Sequence, residues 1–399
     1  MQIKLLTCLL LFFPLSIIKA QLSPFDYNGY AKYLFSSTKF PETTERYSDH
    51  LVHLRLNTKW YATNALTAAL ELRFRAFYGE TVENTNNFVD LIKTPRDWVD
   101  LDAVIWNEKK TVGYLEVDRL WLDWLKNDFE LTVGRQRIAW GTAWVWNPTD
   151  LFNPLNVLDF DYEERPGVDG VRVQYYTGAV SKIEAAFKPA KEKRNVVLAG
   201  LWNINAFNYD FNLIAGMRDS RWIFGGSWAG DIFTAGFRGE ITVSQHLENS
   251  YSLFTSNNST IEIPIPGFDT NKNIIAAVLS ADYTFPNTFY IHTEVLYNNI
   301  GKTKNTFLYS QAASNHKMLS AARWSLYQEF AYDITPLLRG SLFGIFNPDD
   351  KSYVIVPSVS YSAFTNFDLL LIAQIFEGDP LTEFGEFGTS VYFRTKFSF

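Results

Sequence analysis

Residues 391–399 read VYFRTKFSF, and they indicate the fold class more clearly than any other stretch. Successive side chains of an extended strand point to opposite faces, so alternate residues share a face. Phe393 and Phe397 fall on one face of the predicted strand, and Arg394 and Lys396 fall on the other. One face is therefore apolar and the other is charged, as expected for a strand that separates two different environments.

The first twenty residues predict an exported protein. Lys4 supplies a positive start, an apolar core follows, and Ala20 is a small residue ahead of the predicted cleavage site. The apolar run is short for a membrane-spanning helix. Removal of the signal peptide, residues 1–20, also removes Cys8. The mature chain, residues 21–399, is then predicted to be a single domain without thiol or disulfide chemistry.

The same alternation recurs along the chain. It predicts strands at 26–37, 48–62, 65–79, 114–126, 129–140, 168–177, 181–189, 196–206, 210–218, 221–229, 231–244, 273–285, 288–298, 322–333, 337–346, 352–363, 366–376 and 389–399. With the export signal, this pattern predicts an all-β fold, a transmembrane antiparallel up-and-down β-barrel of about 18 strands, with 16 strands as the alternative. A soluble β-sandwich that buries the aromatic rings in its core is a second alternative.

The connections between these strands support the count. Short turns, such as those predicted at Asn127–Asp128, Tyr209–Asp210 and Gly230–Asp231, alternate with longer connections. The long connections, all assigned to the opposite side, are 80–112, 142–167, 245–272, 299–321 and 377–388. Short periplasmic turns and long outer loops are typical of bacterial outer-membrane barrels.

The inward face of the predicted barrel carries more basic than acidic residues. The predicted pore-lining bases are Arg55, Arg73, Arg75, Arg119, Arg172, Lys182, Lys188, Arg238, Arg323, Arg339 and Arg394. Rings of arginine and lysine favour anions in a pore. The alternative is that these bases pair with carboxylates of the wall and loops, which would leave no net preference.

The connection 142–167 differs from the rest of the chain. Two Asn-Pro steps stiffen it, because proline fixes its own φ and restricts the preceding residue. We expect it to fold into the barrel as a constriction loop, through Trp144, Asn147, Asp150, Asn153, Asp159, Asp161, Glu163, Glu164 and Arg165.

Two bases just before this loop, Arg135 and Arg137, are the predicted anchors, as partners for the carboxylates of the loop and for Asp169 directly after it. Their alternation conflicts with that of the preceding residues, which predicts a bulge or a register shift near Gly134. The loop has two alternative interpretations. A calcium ion could take the alternating carboxylates of Asp159, Asp161 and Glu163, or the loop could be an ordinary solvated connection.

The motifs of this region resemble a known block. The sequences GRQRIAWG, NPTDLFNP and EERPGVD, within residues 134–169, are similar to those of porin-like outer-membrane barrels, including the broad alginate-export and phosphate-selective porin group. The resemblance implies a channel-forming barrel and names no solute. Residues 391–399 also resemble the terminal strand, closing on Phe, by which such barrels are recognised by the insertion machinery.

The sequence thus predicts a porin of the outer membrane for passive diffusion of small hydrophilic solutes, with a lean toward anions. Outer-membrane lipid and lipopolysaccharide are its expected surroundings. The formal net charge of −7 argues against a nucleic-acid partner. No cofactor is predicted, and the calcium site is only an alternative interpretation of the loop. The alternatives are a non-conducting barrel for export, assembly or adhesion of a surface polymer, and a barrel hydrolase built on His292 and Glu294.

Overall fold

The computed structural model describes residues 24–41, 45–93, 98–153, 158–161, 163–191, 195–218, 220–245, 251–256, 259–264, 273–315 and 317–399. The predicted signal peptide, residues 1–20, lies outside the described residues, as do 154–157 and 162 of the predicted constriction loop.

The barrel consists of eighteen antiparallel strands in chain order. They are β1 Phe25–Lys39, β2 Arg46–Thr63, β3 Leu66–Gly79, β4 Thr111–Lys126, β5 Phe129–Gln136, β6 Val168–Tyr176, β7 Lys182–Lys188, β8 Val197–Ala206, β9 Tyr209–Arg218, β10 Arg221–Ile232, β11 Ala235–Ser244, β12 Ile274–Thr284, β13 Tyr290–Asn298, β14 Trp324–Thr335, β15 Leu338–Phe346, β16 Tyr353–Phe364, β17 Phe367–Glu377 and β18 Thr389–Ser398. Strand β18 pairs with β1 from Tyr30↔Ser398 to Lys39↔Thr389, which closes the sheet. The predicted barrel of about 18 strands is confirmed, and the 16-strand and sandwich alternatives are wrong.

The remaining elements lie in the long connections. The strand Asp102–Glu108 pairs with the beginning of β4, and Tyr251–Ser256 forms a separate hairpin with Ser259–Pro264. The helices are Glu80–Asn84, Phe88–Ile92 and Ser310–Asn315, and Thr306–Tyr309 is a 3₁₀ turn. No helix in the described ranges combines the length and the apolar character needed to cross a membrane.

The two faces of the barrel wall differ as the alternation predicts. Outward side chains such as Leu54 and Trp222 are 41% and 55% exposed, whereas the inward Arg55, Glu240 and Glu294 are at most 2% exposed. A closed sheet leaves no unpaired edge, and its apolar outer face suits contact with hydrocarbon. Inward charged groups are shielded because other parts of the protein cover them.

The inward face of the wall is not polar throughout, because two of its sectors are apolar. Inward residues of β8, including Val197 and Leu201, pack with Ile138 and Phe152 in a first apolar cluster. A second cluster joins inward residues of β12 to β18 with Val145 and Trp146. These wall residues are apolar because chain from the connection after β5 covers them instead of water.

Strand β5 has an unusual backbone conformation at Gly134 without the expected bulge. The pairing of β5 with β4 and β6 is continuous through Gly134, but this glycine has φ +117°. A Cβ atom at this position would lie too close to the carbonyl oxygen of Leu120. The register shift occurs instead on β4, beside Asp118. The glycine conformation brings both Arg135 and Gln136 into buried positions.

Candidate functional site

The connection between β5 and β6, residues 137–167, is termed the inner segment. Its described residues, 137–153, 158–161 and 163–167, lie against the inward face of the barrel. Ile138, Trp140, Trp146 and Phe152 are at most 5% exposed. Its contacts reach β7, β11 and β13 on one side and β1, β2 and β18 on the other, as the following hydrogen bonds and ion pairs show. The inner segment therefore bridges walls that are distant along the chain.

One end of this bridge is held by the carboxylate of Glu240 on β11. The backbone N–H groups of Thr142, Ala143 and Thr149 donate to it at 2.5, 2.7 and 3.0 Å. The amide of Asn147 adds a further bond at 3.2 Å. A carboxylate that accepts several N–H groups makes charge-assisted bonds, which are stronger than neutral ones. Glu240 thus replaces the backbone partners that a regular helix or sheet would give this stretch.

Glu294 on β13 holds the next three residues in the same way. Trp144, Val145 and Trp146 direct their backbone N–H groups to its carboxylate, the last at 2.6 Å. Glu294 is 0% exposed and also lies 3.5 Å from Nε2 of His292. The fold of residues 142–149 is therefore dictated by two buried wall carboxylates. Alternation along the strands predicts only that these two face inward. A further signal for Glu240 and Glu294 was present in the sequence. The buried backbone N–H groups of an irregular loop require acceptors, and inward carboxylates can supply them.

The three tryptophans of the inner segment occupy different environments. Trp140 donates its indole N–H to Glu184 of β7 at 2.7 Å, and Trp146 packs edge-on against Tyr327. Both are buried, but Trp144 is 55% exposed. Its indole N–H points to Asp282 at 3.4 Å, and the guanidinium of Arg238 lies 4.8 Å from its ring centre.

The acidic half of the inner segment meets a basic strip of the wall. Asp161 lies 3.2 Å from both Lys32 Nζ and His53 Nδ1. Burial raises the pKa of Asp161, but its contacts with His53 and Lys32 outweigh this effect, so the pKa lies below its ordinary value. The charged carboxylate is therefore the stable form at neutral pH.

Glu163 and Glu164 continue this contact. Glu163 lies 3.0 Å from Arg394 and 2.6 Å from Lys396 of β18, and burial is again outweighed by these bases, which lower its pKa. Glu164 accepts a hydrogen bond from Tyr30 at 2.9 Å and lies 3.7 Å from Arg55. Strand β18, which closes the barrel, thus also fixes the inner segment.

Arg165 organises the centre of the segment. Its guanidinium donates to Asp150 at 2.6 Å and to Asn147 at 3.1 Å. Asn153 donates its backbone N–H to Asp150 at 3.3 Å. Burial raises the pKa of Asp150 to about 7, against the opposing influence of Arg165. This ion pair is internal to the segment and keeps its two halves together.

The predicted anchors Arg135 and Arg137 have different environments. Arg135 pairs with Asp169 of β6 at 2.7 Å and also donates to the backbone carbonyl of Val117. Arg137 is exposed and makes no ion pair within the described ranges. Its guanidinium is still partly buried, and this partial burial, together with the charges of Arg165 and Arg119, lowers its pKa below the ordinary value. Arg135 is thus paired with one of the carboxylates predicted for it, while residues 142–149 are held by Glu240 and Glu294.

Most of the predicted pore-lining bases have acidic partners. The pairs are Arg55 with Glu71 and Asp118, Arg73 and Arg75 with Glu116, Arg119 with Glu71, Arg172 with Glu130, Lys182 with Glu184, Arg238 with Asp282, Arg339 with Asp333, and Arg394 with Glu163. Lys188 is half-buried at the end of β7, and Arg323 is exposed before β14. The pairing offsets much of the positive charge expected from the inward bases alone.

The described residues contain no group of three or more histidine, cysteine, aspartate or glutamate side chains placed to hold a metal ion. Of the three carboxylates considered for calcium, Asp161 and Glu163 contact wall bases. His292 accepts or donates a hydrogen bond with Ser280 Oγ at 3.0 Å. Ser280 is 0% exposed, so a solute in the lumen does not reach this hydroxyl.

No family model and no curated protein matches the chain. Among solved structures, OccAB2 of Acinetobacter baumannii is similar at 10% identity over 94% of this chain and 98% of that one, with a TM-score of 0.56. OccK5 (OpdH) of Pseudomonas aeruginosa matches at 8% identity over 94% and 97%, with a TM-score of 0.57. OccK11 (OpdR) of the same species is 8% identical over 94% of this chain and 95% of that one, with a TM-score of 0.55.

At these identities the likeness concerns the fold, the closed barrel seen in outer-membrane porins of the Occ group. The resemblance of residues 134–169 to alginate-export and phosphate-selective porins gains no support from these comparisons and stays a prediction.

Proposed function

We propose that the chain is an outer-membrane channel for passive diffusion of small hydrophilic solutes, narrowed by the inner segment. The observation that carries this proposal is the docking of residues 142–149 on Glu240 and Glu294. A loop held across a barrel by buried carboxylates restricts the free cross-section, and its size and charge set what passes. The barrel fold shared with porins supports the same function.

The proposed location, with lipid and lipopolysaccharide around the wall, rests on the exposed apolar side chains of the outward face. Leu122 and Phe224 are 47% and 57% exposed there. Exposure of so much apolar surface to water is unfavourable, whereas its contact with the hydrocarbon of a membrane is not. The terminal strand β18 is the proposed contact for the insertion machinery.

The proposal also includes a preference of the channel for anions, which Arg137 supports. Most inward bases are neutralised in pairs, but Arg137, which lies near Arg119 and Arg165, is exposed and makes no ion pair within the described ranges. An arginine keeps its charge at all physiological pH values. A local positive potential at the inner segment would raise the concentration of anions in the pore.

The reversal potential of purified protein in a planar bilayer under a KCl gradient tests both parts. We expect ion current with a preference for chloride, and a smaller preference in Arg137→Gln. Arg339→Gln is the matched control, because Arg339 is paired with Asp333 at 2.7 Å. An absence of current contradicts the channel, and cation-selective current contradicts the lean toward anions.

One observation favours the non-conducting barrel as a second candidate. Two apolar clusters join the inner segment to different sectors of the wall, and they fill part of the lumen with side chains such as Phe152, Trp146 and Tyr327. A barrel packed in this way could serve as a scaffold for export or assembly of a surface polymer. The same bilayer experiment distinguishes this candidate, because a scaffold of this kind carries no current.

A further inference from the structure

Trp144 is an ordered aromatic side chain that remains exposed inside the barrel. Its backbone N–H is bound to Glu294, and the preceding residue, Ala143, is bound to Glu240. Both carboxylates are buried in the wall. The side chain is nevertheless 55% exposed, while Trp140 and Trp146 of the same segment are 4% and 5% exposed. The segment thus buries two of its three tryptophan rings and exposes the third.

The orientation of the Trp144 ring is fixed by two charged side chains. Asp282 accepts from its indole N–H at 3.4 Å, and the guanidinium of Arg238 lies 4.8 Å from the ring centre. Arg238 and Asp282 also form an ion pair with each other. A cation over one ring face contributes about 0.5–2 kcal/mol. This contact directs the ring, so its exposure is not a consequence of a loose side chain.

The position of the ring places it in the lumen near the short turns. Arg238 lies close to the start of β11, and Asp282 lies close to the end of β12. Both strand ends adjoin short connections, Phe233–Thr234 and 285–289. The exposed part of Trp144 therefore faces the half of the lumen next to the short turns. A solute that enters from the side of the long connections reaches this half after passing the inner segment. A solute that enters from the side of the short turns reaches it before the inner segment.

The charges around the ring select the chemistry of a ligand. Arg238 and Asp282 neutralise each other in an ion pair, so a cationic or anionic solute finds no unopposed opposite charge beside the ring. A neutral ligand with hydroxyl groups can bond to the remaining N–H groups of Arg238 and lone pairs of Asp282 without separating this pair, because a guanidinium and a carboxylate each have several. The ring itself offers a flat apolar face with negative π density, which attracts the positively polarised C–H groups of a rigid ring.

We propose that Trp144, with Arg238 and Asp282, is a binding platform for neutral sugars in their ring form, such as a pyranose. This inference rests on the proposed channel function and adds neutral ring sugars to the solutes of that channel, while the lean toward anions concerns charged solutes. The platform slows the passage of ring sugars by weak binding and does not act on linear polyols of the same size. Weak binding suits a channel, because a solute must also leave the site.

Saturation-transfer NMR of glucose with the purified protein in detergent tests the platform. Sorbitol is the matched probe, since it has nearly the same size and hydroxyl content but no ring face. We expect saturation of the glucose ring protons by the wild type and little saturation of sorbitol. In Trp144→Ala the apparent dissociation constant for glucose should rise about three- to tenfold.

Two further variants keep the result interpretable. Trp144→Phe retains an aromatic face and should retain part of the binding, which also covers the case that the alanine variant does not fold. Trp222→Ala removes an outward tryptophan with the same 55% exposure and should leave binding unchanged. Equal glucose saturation in wild type and Trp144→Ala, or equal saturation of glucose and sorbitol by the wild type, would overturn the proposal.

Bilayer current measured on the same preparation separates the two proposals. Current without glucose binding contradicts the platform and leaves the channel intact. Glucose binding without current contradicts the channel, while the platform itself is supported.

Discussion

Glu240 is the residue on which the position of the inner segment depends most. Its carboxylate is 1% exposed and accepts from three backbone N–H groups. Loss of a buried acceptor leaves its donors without partners, at a cost of about 1–3 kcal/mol for each such group. The buried charge is tolerated because these donors, directed to it by the fold, replace water.

We predict that Glu240→Ala releases residues 142–149 and lowers the stability of the folded protein by roughly 3 kcal/mol. Limited proteolysis in detergent should then cleave the inner segment, which resists in the wild type. Glu130→Ala is the matched control, because Glu130 is also an inward carboxylate but accepts from Gln174 and Tyr176 of the wall. Equal resistance of both variants would show that Glu240 does not hold the segment.

The raised pKa of Asp150 predicts that the stability of the folded protein depends on pH. The sign of this dependence shows whether burial or the ion pair with Arg165 has the larger effect on the pKa. Burial raises its pKa to about 7 even though Arg165 lies at 2.6 Å. A raised pKa means that the folded protein binds the proton more tightly than the unfolded chain does, so stability falls as the pH rises from about 4 to about 7.

The thermal midpoint of the wild type minus that of Asp150→Asn should therefore decrease across this window and level off above pH 7. The asparagine variant has no proton to release at this position, so the difference isolates Asp150. An increase of the difference with pH would mean that the ion pair with Arg165 dominates over burial, and the expected sign would be wrong.

At the scale of elements, closure depends on the junction of β1 and β18. Gly29 exchanges backbone hydrogen bonds with Phe399 at 2.9 and 3.0 Å. A Cβ atom at Gly29 would overlap the carbonyl oxygen of Arg55 and lie 2.9 Å from the ring of Phe399. The backbone of β2 would have to move to accept any side chain at this position, and close-packed sheets resist such movement.

We predict that Gly29→Ala destabilises the barrel by about 1–3 kcal/mol and lowers the yield of folded protein. Gly178→Ala is the control, because a Cβ atom there meets nothing within 4 Å. Heat-dependent mobility on a denaturing gel reports the folded fraction. If Gly29→Ala and Gly178→Ala lost the folded form at the same midpoint temperature, the close approach at Gly29 would have no energetic importance.

The strands themselves were predictable because lipid and interior impose opposite requirements on alternate residues. This holds for β3, where Leu70 is exposed and Arg73 is buried. Turn positions were less accurate. The turns predicted at Tyr209–Asp210 and Gly230–Asp231 lie at Phe207–Asn208 and Phe233–Thr234. Phe207 and Phe233 have φ of 56° and 58°, a conformation that is unusual for aromatic residues. These turns were placed incorrectly because neither contains the Gly or Pro that commonly marks a turn in a sequence.

At the scale of the whole molecule, the interior was the part that the sequence could not predict. Parity identifies which residues point inward but not what covers them. Inward Val354 and Val356 are 0% exposed because the inner segment and the last long connection pack on them. The pairing of Glu163 with Lys396, far apart in sequence, likewise depends on how the segment crosses the lumen. Local alternation contains no information about such contacts.

The inner segment is proposed to narrow a channel that would otherwise be open. Single-channel conductance in planar bilayers, compared between the wild type and Glu240→Ala/Glu294→Ala, decides whether it does. We expect discrete current steps for the wild type and larger, noisier steps for the double variant, whose segment has lost both wall anchors. No current in the wild type, or the same step size in both proteins, would contradict a channel narrowed in this way.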